Sequence, residues 1–291
     1  MSDENNESNH TISKVAVVLN ARNEEDVIYE TLKHILNQKL SPYRIIVIND
    51  GSTDKTGEIV AKFSNVEIIN REKHTESFLA RKQLAETINA GLQKLQNDND
   101  CEFVWLMGAD LIFSQDYLSK IVNRMKKNPK IAIASGVVQD EFSIEPRGGG
   151  RIVRCDFWRK IGLLYPVNYG WEGYLVLKAQ SMGYEVESFE DLVITSQRKT
   201  GKKFEPKRYF YYGLALKALG YTTAYTLAKV LLFSKNNPKG AYYMLKGYYS
   251  KYDSLYEPEL REFVRKNQRD NITNLKSNYV KRFIKTLINS K

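Results

Sequence analysis

The sequence predicts an α/β fold in which a mainly parallel central sheet is flanked by helices and is followed by a basic, helical C-terminal region. Two apolar runs, at residues 14–19 and 45–48, show no polar alternation, as expected for strands covered on both faces. Between them, apolar residues recur at helical spacing to about residue 37, which predicts a right-handed strand–helix–strand unit. From residue 206 onward the pattern becomes helical throughout.

The alternation of strands and helices continues to about residue 200. Strands are predicted at 66–69, 103–107 and 131–138, with helices at 77–96 and 115–127. Residues 139–151, which include three consecutive glycines, predict a mobile loop that either approaches a ligand or simply connects elements. A helix at 171–182 and short strands at 184–186 and 192–194 follow. Further helices are predicted at 206–219, 222–233, 238–252, 258–266 and 271–289, the last of them basic and amphipathic.

The positive charge of the chain is concentrated in its last third. Residues 198–291 contain 21 lysines and arginines but 6 acidic residues, and the whole chain has a net charge of +10. The same segment holds 12 of the 19 tyrosines. Cationic and amphipathic aromatic side chains suit a membrane interface, so we expect peripheral membrane contact through this region. A homo-oligomer built through the same helices would explain the tyrosines but not the charge, and nucleic acid is the less favoured partner.

Three regions are predicted: a disordered tail at 1–13, the α/β domain at 14–200 and the helical region at 201–291. The tail lacks the apolar core of a secretory signal, and no apolar run reaches the roughly 20 residues that span a bilayer. We therefore expect a cytoplasmic protein that is peripheral on the cytoplasmic face of the membrane. Cys101 and Cys155 are distant in sequence and in no paired motif, which predicts small core residues rather than a disulfide or a zinc site.

Polar residues follow three of the predicted strands. Asn20 begins the first group, Asp50 and Gly51 begin the second, and Asp110 ends the third. Because ligands in open α/β sheets bind at the carboxyl ends of strands, these residues predict a ligand site at one sheet edge. A strand that ends in Asp-Gly-Ser is also typical of an ordinary tight turn. The phosphate-loop and dinucleotide glycine fingerprints are both absent from the sequence.

Taken in order, these motifs resemble those of the family 2 glycosyltransferases, whose members have the glycosyltransferase-A fold. The resemblance covers about residues 14–200. Its motifs are Asn-Ala-Arg-Asn-Glu-Glu at 20–25, Asn-Asp-Gly-Ser-Thr-Asp at 49–54, Ala-Arg at 80–81, Ile-Gly-Leu at 161–163, and Trp171, Glu172, Leu175, Lys178 and Gly183. It implies inverting transfer of a sugar from a nucleotide-diphosphate donor, such as a UDP- or GDP-sugar, to a hydroxyl of a lipid-linked or glycan acceptor.

The resemblance also implies a donor site across the ends of the first strands. Asp50 would accept from a base N–H or a sugar hydroxyl, Glu24 would bind a ribose hydroxyl, and Arg81 would lie near the diphosphate. For Glu24 and Glu25, stabilisation of the first helical turn is the alternative. The full implied donor-binding set is Ala21, Arg22, Glu24, Asp50, Arg81 and Ala109.

Asp110 matches the family's metal-binding position, which implies Mg²⁺ or Mn²⁺ as cofactor. The usual Asp-x-Asp is here Gly108-Ala109-Asp110, so the first carboxylate is missing. One carboxylate can suffice because diphosphate oxygens and waters complete the octahedron. The alternative for Asp110 is an ordinary turn residue.

Glu172 falls where the family has its catalytic base, and the residue before it, Trp171, either faces a sugar ring or packs. Gly149, in the triple glycine, and Arg198 and Lys199, just after the last predicted strand, are predicted near the diphosphate or the acceptor. A solvated charge run is the alternative for the two cations. Two other functions compete with sugar transfer. One is a non-catalytic, transferase-like binding module with a basic tail, and the other is a nucleotidyltransferase, which would be expected to show a glycine-rich phosphate loop.

Overall fold

The computed structural model describes residues 13–74, 82–139, 146, 149–197 and 206–273. Its centre is one eight-stranded sheet. The strands are β1 (Val15–Ala21), β2 (Arg44–Asn49), β3 (Glu67–Asn70), β4 (Phe103–Gly108), β5 (Leu111–Phe113), β6 (Ile131–Val138), β7 (Arg151–Arg154) and β8 (Glu185–Ser196). In space they follow the order β3-β2-β1-β4-β7-β6-β8-β5.

Helices cover the sheet and then continue beyond it. Those of the α/β part are α1 (Ile28–Leu36), α2 (Thr56–Val60), α3 (Gln83–Gln93), α4 (Tyr117–Lys127), α5 (Cys155–Arg159) and α6 (Trp171–Ser181). Those of the C-terminal part are α7 (Pro206–Ala218), α8 (Thr223–Ser234), α9 (Pro238–Tyr249) and α10 (Pro258–Thr273). Within the described part of the chain, no helix is long and apolar enough to cross a membrane.

Both faces of the sheet are buried, which explains the unalternated apolar runs. On β1, Val17 and Leu19 pack on one face with α1 and α4, while Ala16 and Val18 pack on the other with α3 and α6. Strands β3, β2, β1 and β4 pair in parallel, as do β6 and β8, whereas β7 and β5 run antiparallel to their neighbours. The predicted α/β class with a mainly parallel sheet is confirmed.

Several element boundaries differ from the prediction. The two short strands expected at 184–186 and 192–194 form a single strand, β8, with a register shift between Gly136 and Val137 of its partner β6. The predicted loop at 139–151 ends earlier, because Arg151 begins β7. Helix α10 continues to Thr273 instead of stopping at 266. Strands β5 and β7 and helices α2 and α5 were not predicted, because elements of 3 to 5 residues are too short to show a period.

Some predictions fall outside the described residues. These are the tail at 1–12, Arg81 with its Ala-Arg motif, Arg198, Lys199, and the part of the last predicted helix beyond Thr273. The three-region division stays a prediction.

The two cysteines are buried, as predicted, but they are not far apart in space. Strand β7 pairs antiparallel with β4, which matches Phe103 with Arg154 and brings the Sγ atoms of Cys101 and Cys155 to 3.0 Å. Both are free thiols. The hydrogen bond between them lowers the pKa of Cys101 and raises that of Cys155. The prediction of buried core thiols is confirmed, and their proximity, which sequence distance did not indicate, follows from the pairing of β4 with β7.

The C-terminal helices pack closely on one another and on α6. A Cβ atom added at Gly213 of α7 would lie 2.0 Å from the Met244 carbonyl oxygen, and one at Gly247 of α9 would lie 2.0 Å from that of Phe210. The two backbones are therefore in direct contact. A small apolar cluster then joins α6, α7 and α10, formed by Leu177, Ala218, Leu219, Tyr256, Leu260 and Val264.

Candidate functional site

The parallel strands bring the predicted polar residues to one edge of the sheet. Strand β1 lies between β2 and β4, with Ala21 opposite Asn49 and Asn20 opposite Gly108. The turns after these three strands therefore lie side by side, as the sequence predicted.

Asp50, directly after β2, is a buried carboxylate surrounded by cationic and hydroxyl groups. It is only 4% exposed. Its Oδ1 accepts from Thr87 Oγ1 at 3.2 Å and lies 3.5 Å from Arg71 Nε, and its Oδ2 lies 3.4 Å from His74 Nε2. Sequence reasoning identified Asp50 but missed Arg71 and Thr87. Nothing in a single sequence marks these two, because they meet Asp50 only through the fold.

The turns after β1 and β2 are cross-linked by hydrogen bonds. Asn23 takes a left-handed conformation, with φ of 54°, and its Oδ1 accepts from Thr53 N at 2.8 Å. Glu25 Oε2 accepts from Lys55 N at 3.1 Å. Helix α1 begins only at Ile28, so Glu25 connects two turns and does not lie in the first helical turn. These bonds give the edge a fixed backbone.

Asp54 belongs to the same network. Burial alone would raise the pKa of its carboxyl, but hydrogen bonds from the side chain and backbone of Thr56 outweigh that effect and lower the pKa. Thr56 Oγ1 in turn accepts from the backbone N–H of Glu24 at 2.7 Å. Asp54 is thus a structural acceptor within the Asp-Gly-Ser-Thr-Asp segment.

The other implied donor residues also lie at this edge, with their groups engaged by the protein. The side chain of Ala21 is buried and its carbonyl accepts from Asp50 N at 2.8 Å. Arg22 Nη2 donates to the His74 carbonyl at 2.6 Å. Ala109 is 3% exposed and its carbonyl accepts from Thr31 Oγ1 at 2.6 Å.

A cavity of about 320 Å³ opens beside this edge. Four of the predicted site residues line it together: Asp110, Gly149, Trp171 and Glu172. Ala21, Arg22, Glu24, Asp50 and Ala109 are not among its lining residues. The structure thus divides the predicted site into a cavity and the neighbouring turns around Asp50.

Asp110 is half-buried and forms hydrogen bonds with residues at the C-terminal end of β8. Ser196 Oγ donates to Asp110 Oδ2 at 3.0 Å, and Gln197 N donates to the Asp110 carbonyl at 2.8 Å. A Cβ atom at Gly108 would lie 3.2 Å from Asp110 Oδ1, so glycine at this position leaves the carboxylate uncrowded. Among the described residues, no three His, Cys, Asp or Glu side chains cluster as metal ligands.

Glu172 is exposed and lies in the first turn of α6, just after the left-handed Gly170. Its carbonyl accepts from Arg151 Nη1 at 3.3 Å. Arg151 is a buried cation at 3% exposure and also donates to the Pro146 carbonyl. This arginine, which the sequence did not single out, therefore fixes the backbone that carries Glu172.

Aromatic packing supports the same helix start. Trp171 is 7% exposed and meets the ring of Tyr165 edge-on, with centroids 4.6 Å apart. Burial raises the pKa of Tyr165 to about 12. Trp171 thus packs into the core, although part of it still lines the cavity.

The cavity also contains a cation that was not predicted, beside a small polar residue that the sequence did place at this edge. Arg208, in the first turn of α7, lines it together with Asn20 at the end of β1. The sequence pointed instead to Arg198 and Lys199, which lie outside the described residues. The only signal for Arg208 was the general basic character of the segment.

Comparison with known proteins agrees with this architecture. Among solved structures, the chain resembles the mannosyltransferase PcManGT from Pyrobaculum calidifontis in complex with GDP-Man and Mn²⁺, with a TM-score of 0.59 and 15% identity over 94% of this chain and 84% of that one. It also resembles S. aureus TarS 1-349 in complex with UDP-GlcNAc, with a TM-score of 0.55 and 15% identity over 78% and 72%. At this identity the likeness shows the fold.

Sequence relatives include a poly-beta-1,6-N-acetyl-D-glucosamine synthase of Staphylococcus epidermidis, 27% identical over 43% of this chain. The aligned part spans 28% of the length of that relative. The model of glycosyl transferase family 2 matches residues 16–192, more than half of the chain. The chain therefore belongs to glycosyl transferase family 2.

Proposed function

We propose that this enzyme inverts the anomeric centre as it moves a sugar from a nucleoside-diphosphate donor to an acceptor hydroxyl. The observation that carries this proposal is the shared cavity, which Asp110 and Glu172 enter from different elements. Inverting transfer needs one group that helps to hold a charged diphosphate and another that takes a proton from the acceptor. The carboxylates of Asp110 and Glu172, which line one cavity, are the two groups proposed for these roles.

Glu172 is the proposed base. Its carboxylate takes the proton from the acceptor hydroxyl as that oxygen bonds to the anomeric carbon, while the bond from this carbon to the diphosphate oxygen breaks and the nucleoside diphosphate leaves with the electron pair. Attack from the face opposite the leaving group inverts the configuration. Arg151 acts as a positioning residue, because it holds the Glu172 carbonyl and thereby the start of α6.

Asp110 is the proposed protein ligand of Mg²⁺ or Mn²⁺. A half-buried carboxylate that faces a cavity offers the hard oxygen donor that these ions prefer, and they need few protein ligands when phosphate oxygens and waters are present. When bound, the ion would neutralise charge on the diphosphate. Arg208 and Gly149 lie on the same cavity, and we assign them to the diphosphate or the acceptor, with Arg198 and Lys199 as further candidates by sequence.

The nucleoside is assigned to the turns around Asp50. Asp50 follows β2, the strand that pairs with β1, and its carboxylate provides acceptor oxygens next to Arg71 and His74. Ala21, Arg22, Glu24 and Ala109 would shape this part of the site. The neighbours bound to GDP-Man and UDP-GlcNAc make GDP- and UDP-sugars the first donors to test.

The acceptor is proposed to be a lipid-linked or membrane-proximal glycan, and the enzyme to lie peripherally on the cytoplasmic face of the membrane. The support is the basic, tyrosine-rich C-terminal region, because lysines and arginines near an anionic leaflet contribute about 1 kcal/mol each. Self-association through the same helices is the competing role for this region. Nucleotidyl transfer and a non-catalytic role both lose support from the family membership.

The decisive experiment on the base is Glu172→Gln, which keeps the shape of the side chain but removes its basicity. We expect turnover to fall by about 10²- to 10⁴-fold while donor binding is retained. Sugar transfer is measured with radiolabelled donor, and donor binding by thermal unfolding. The matched control is Glu86→Gln on the exposed face of α3, which should leave both unchanged. Full activity of Glu172→Gln would remove Glu172 from the base role.

A second experiment addresses the donor and the metal. Thermal unfolding with UDP, GDP and their sugars, with and without Mn²⁺, should show stabilisation by one nucleotide, since a ligand at 100 times its Kd adds about 2.7 kcal/mol. Asp110→Asn should remove the Mn²⁺-dependent part of this stabilisation. If the variant keeps that part, Asp110 is not the metal ligand.

A further inference from the structure

Helix α8 exposes the side that a water-facing helix would normally bury. Ala224 and Ala228, like Leu227 and Leu231, are four residues apart, and each alanine lies three residues before a leucine, so all four share one face of the helix; all four are exposed. Leu231 is 69% exposed and Leu227 is 45% exposed. The buried residues of α8 are Thr226 and Val230. The four exposed residues form one stripe, which we call the α8 apolar stripe.

The single charged residue of α8 lies away from this stripe. Lys229 is half-buried, and its ammonium group lies 5.2 Å from the ring centroid of Tyr212 and 5.9 Å from that of Tyr221. Cation–π contacts of this kind stabilise a lysine on a partly desolvated side of a helix. The helix thus has its charge turned toward the protein and its leucines turned outward.

The surroundings of the stripe are uniformly basic. Residues 206–252 contain eight lysines and arginines and no aspartate or glutamate. On the neighbouring helix α9, Lys239, Tyr242, Lys246 and Tyr249 are exposed at spacings of three and four residues, with Tyr242 at 62% and Tyr249 at 61%. Amphipathic tyrosines and lysines are the side chains that favour a bilayer interface.

We propose that the α8 apolar stripe docks the enzyme onto an anionic lipid bilayer, with its leucines in the interface and the nearby lysines facing lipid phosphates. A second copy of the chain is the weaker occupant, because pairing these faces would bring two acid-free, basic surfaces together, whereas an anionic leaflet supplies the opposite charge. The inference rests on the proposed membrane-proximal acceptor and names the surface that would hold the enzyme there.

The test compares the full chain with the double variant Leu227→Ser/Leu231→Ser in co-sedimentation with phosphatidylcholine vesicles, with and without phosphatidylglycerol. We expect the wild type to bind the vesicles that contain phosphatidylglycerol, and the variant to bind them at least about tenfold more weakly. The matched control is Val193→Ser, which alters a 48% exposed apolar residue of β8 and should bind like the wild type. All chains share residues 274–291, so the comparison isolates α8.

Several results would overturn the inference. The first is equal vesicle binding by the wild type and the double variant, and the second is no vesicle binding by the wild type. The third is a wild-type dimer that the substitutions dissociate while vesicle binding is unchanged. Thermal unfolding of the double variant should match the wild type, because the replaced side chains are exposed. Failure of the proposed function would look different, since vesicle binding would then persist without sugar transfer.

Discussion

Strand β1 and helix α8 use apolar residues in opposite ways. Apart from half-buried Asn20, β1 is buried throughout, and it ends where polar residues gather at the sheet edge. Helix α8 buries a threonine and exposes two leucines. The α/β part thus presents a small cavity whose lining includes the carboxylates of Asp110 and Glu172. The C-terminal helices present instead an open surface that is apolar and basic. The molecule is thus divided into a part that carries the cavity and a part that carries the exposed apolar stripe.

That division raises the question of whether the two parts fold as one unit. They meet along α6, which carries Glu172 at its start and packs against α7 and α10 through the cluster around Leu219 and Leu260.

The largest effect on stability is expected for Gly247→Ala in α9. The added Cβ would lie 2.0 Å from the carbonyl oxygen of Phe210, so α7 and α9 must separate, and we expect a loss of about 3 kcal/mol. Urea unfolding followed by far-UV circular dichroism measures it. A single shifted transition would show that the helices and the sheet unfold together, and two transitions would show that they do not.

The control for this variant is Gly173→Ala in α6. Its new Cβ would lie 3.5 Å from Leu219 Cδ1, an ordinary contact, so the better helix propensity of alanine should raise stability by roughly 0.5–1 kcal/mol. If both variants have the same stability, the backbones of α7 and α9 are not in close contact at Gly247.

Alkaline pH should weaken the α/β part through Tyr165. Burial raises the pKa of this phenol to about 12, above the ordinary value of 10. The fold therefore favours the neutral form, so this stabilising contribution is complete below pH 10 and is lost as pH rises toward 12. At pH 11 the loss is about 1.4 kcal/mol.

Urea unfolding at pH 9 and pH 11 measures this loss, and Tyr165→Phe, which cannot ionise, should reduce it by about that amount. Tyr174, whose pKa burial also raises to about 12, remains in both proteins and contributes equally. An unchanged pH dependence in Tyr165→Phe would exclude Tyr165 as a source of the alkaline loss.

The outcome for the site residues shows what a single sequence can predict. Asp110 was identifiable because it follows a buried strand, and Glu172 because it falls at a motif position of the family that the sequence resembles. Ser196 was not, because its bond to Asp110 depends on the antiparallel pairing of β5 with β8, across 86 positions. The same reason explains Arg71 beside Asp50 and the Cys101–Cys155 contact.

Ser196→Ala tests one such unpredicted partner. Loss of its hydrogen bond should cost about 1 kcal/mol, which weakens Mn²⁺-dependent nucleotide binding about fivefold. Binding is measured by titration calorimetry. Thr195→Ala is the neighbouring control, since Thr195 is exposed and contacts Gln139 instead. Equal effects of the two substitutions would mean that Ser196 does not orient Asp110.

The smallest effect is expected at the junction itself. Glu257, which precedes α10, accepts a hydrogen bond from Lys178 Nζ of α6 at 2.6 Å, and the ring of Tyr174 stacks on that of Tyr256 with centroids 4.8 Å apart. Glu257→Gln removes the charge but keeps the shape, so we expect a loss of only about 0.5 kcal/mol. Urea unfolding is the measurement, with the exposed Glu259→Gln as control. A loss of several kcal/mol would show that the ion pair, and not the apolar cluster, joins the two parts. This distinction matters because the apolar cluster would hold the C-terminal helices to α6 at any salt concentration, whereas a partly exposed ion pair would weaken as salt is added.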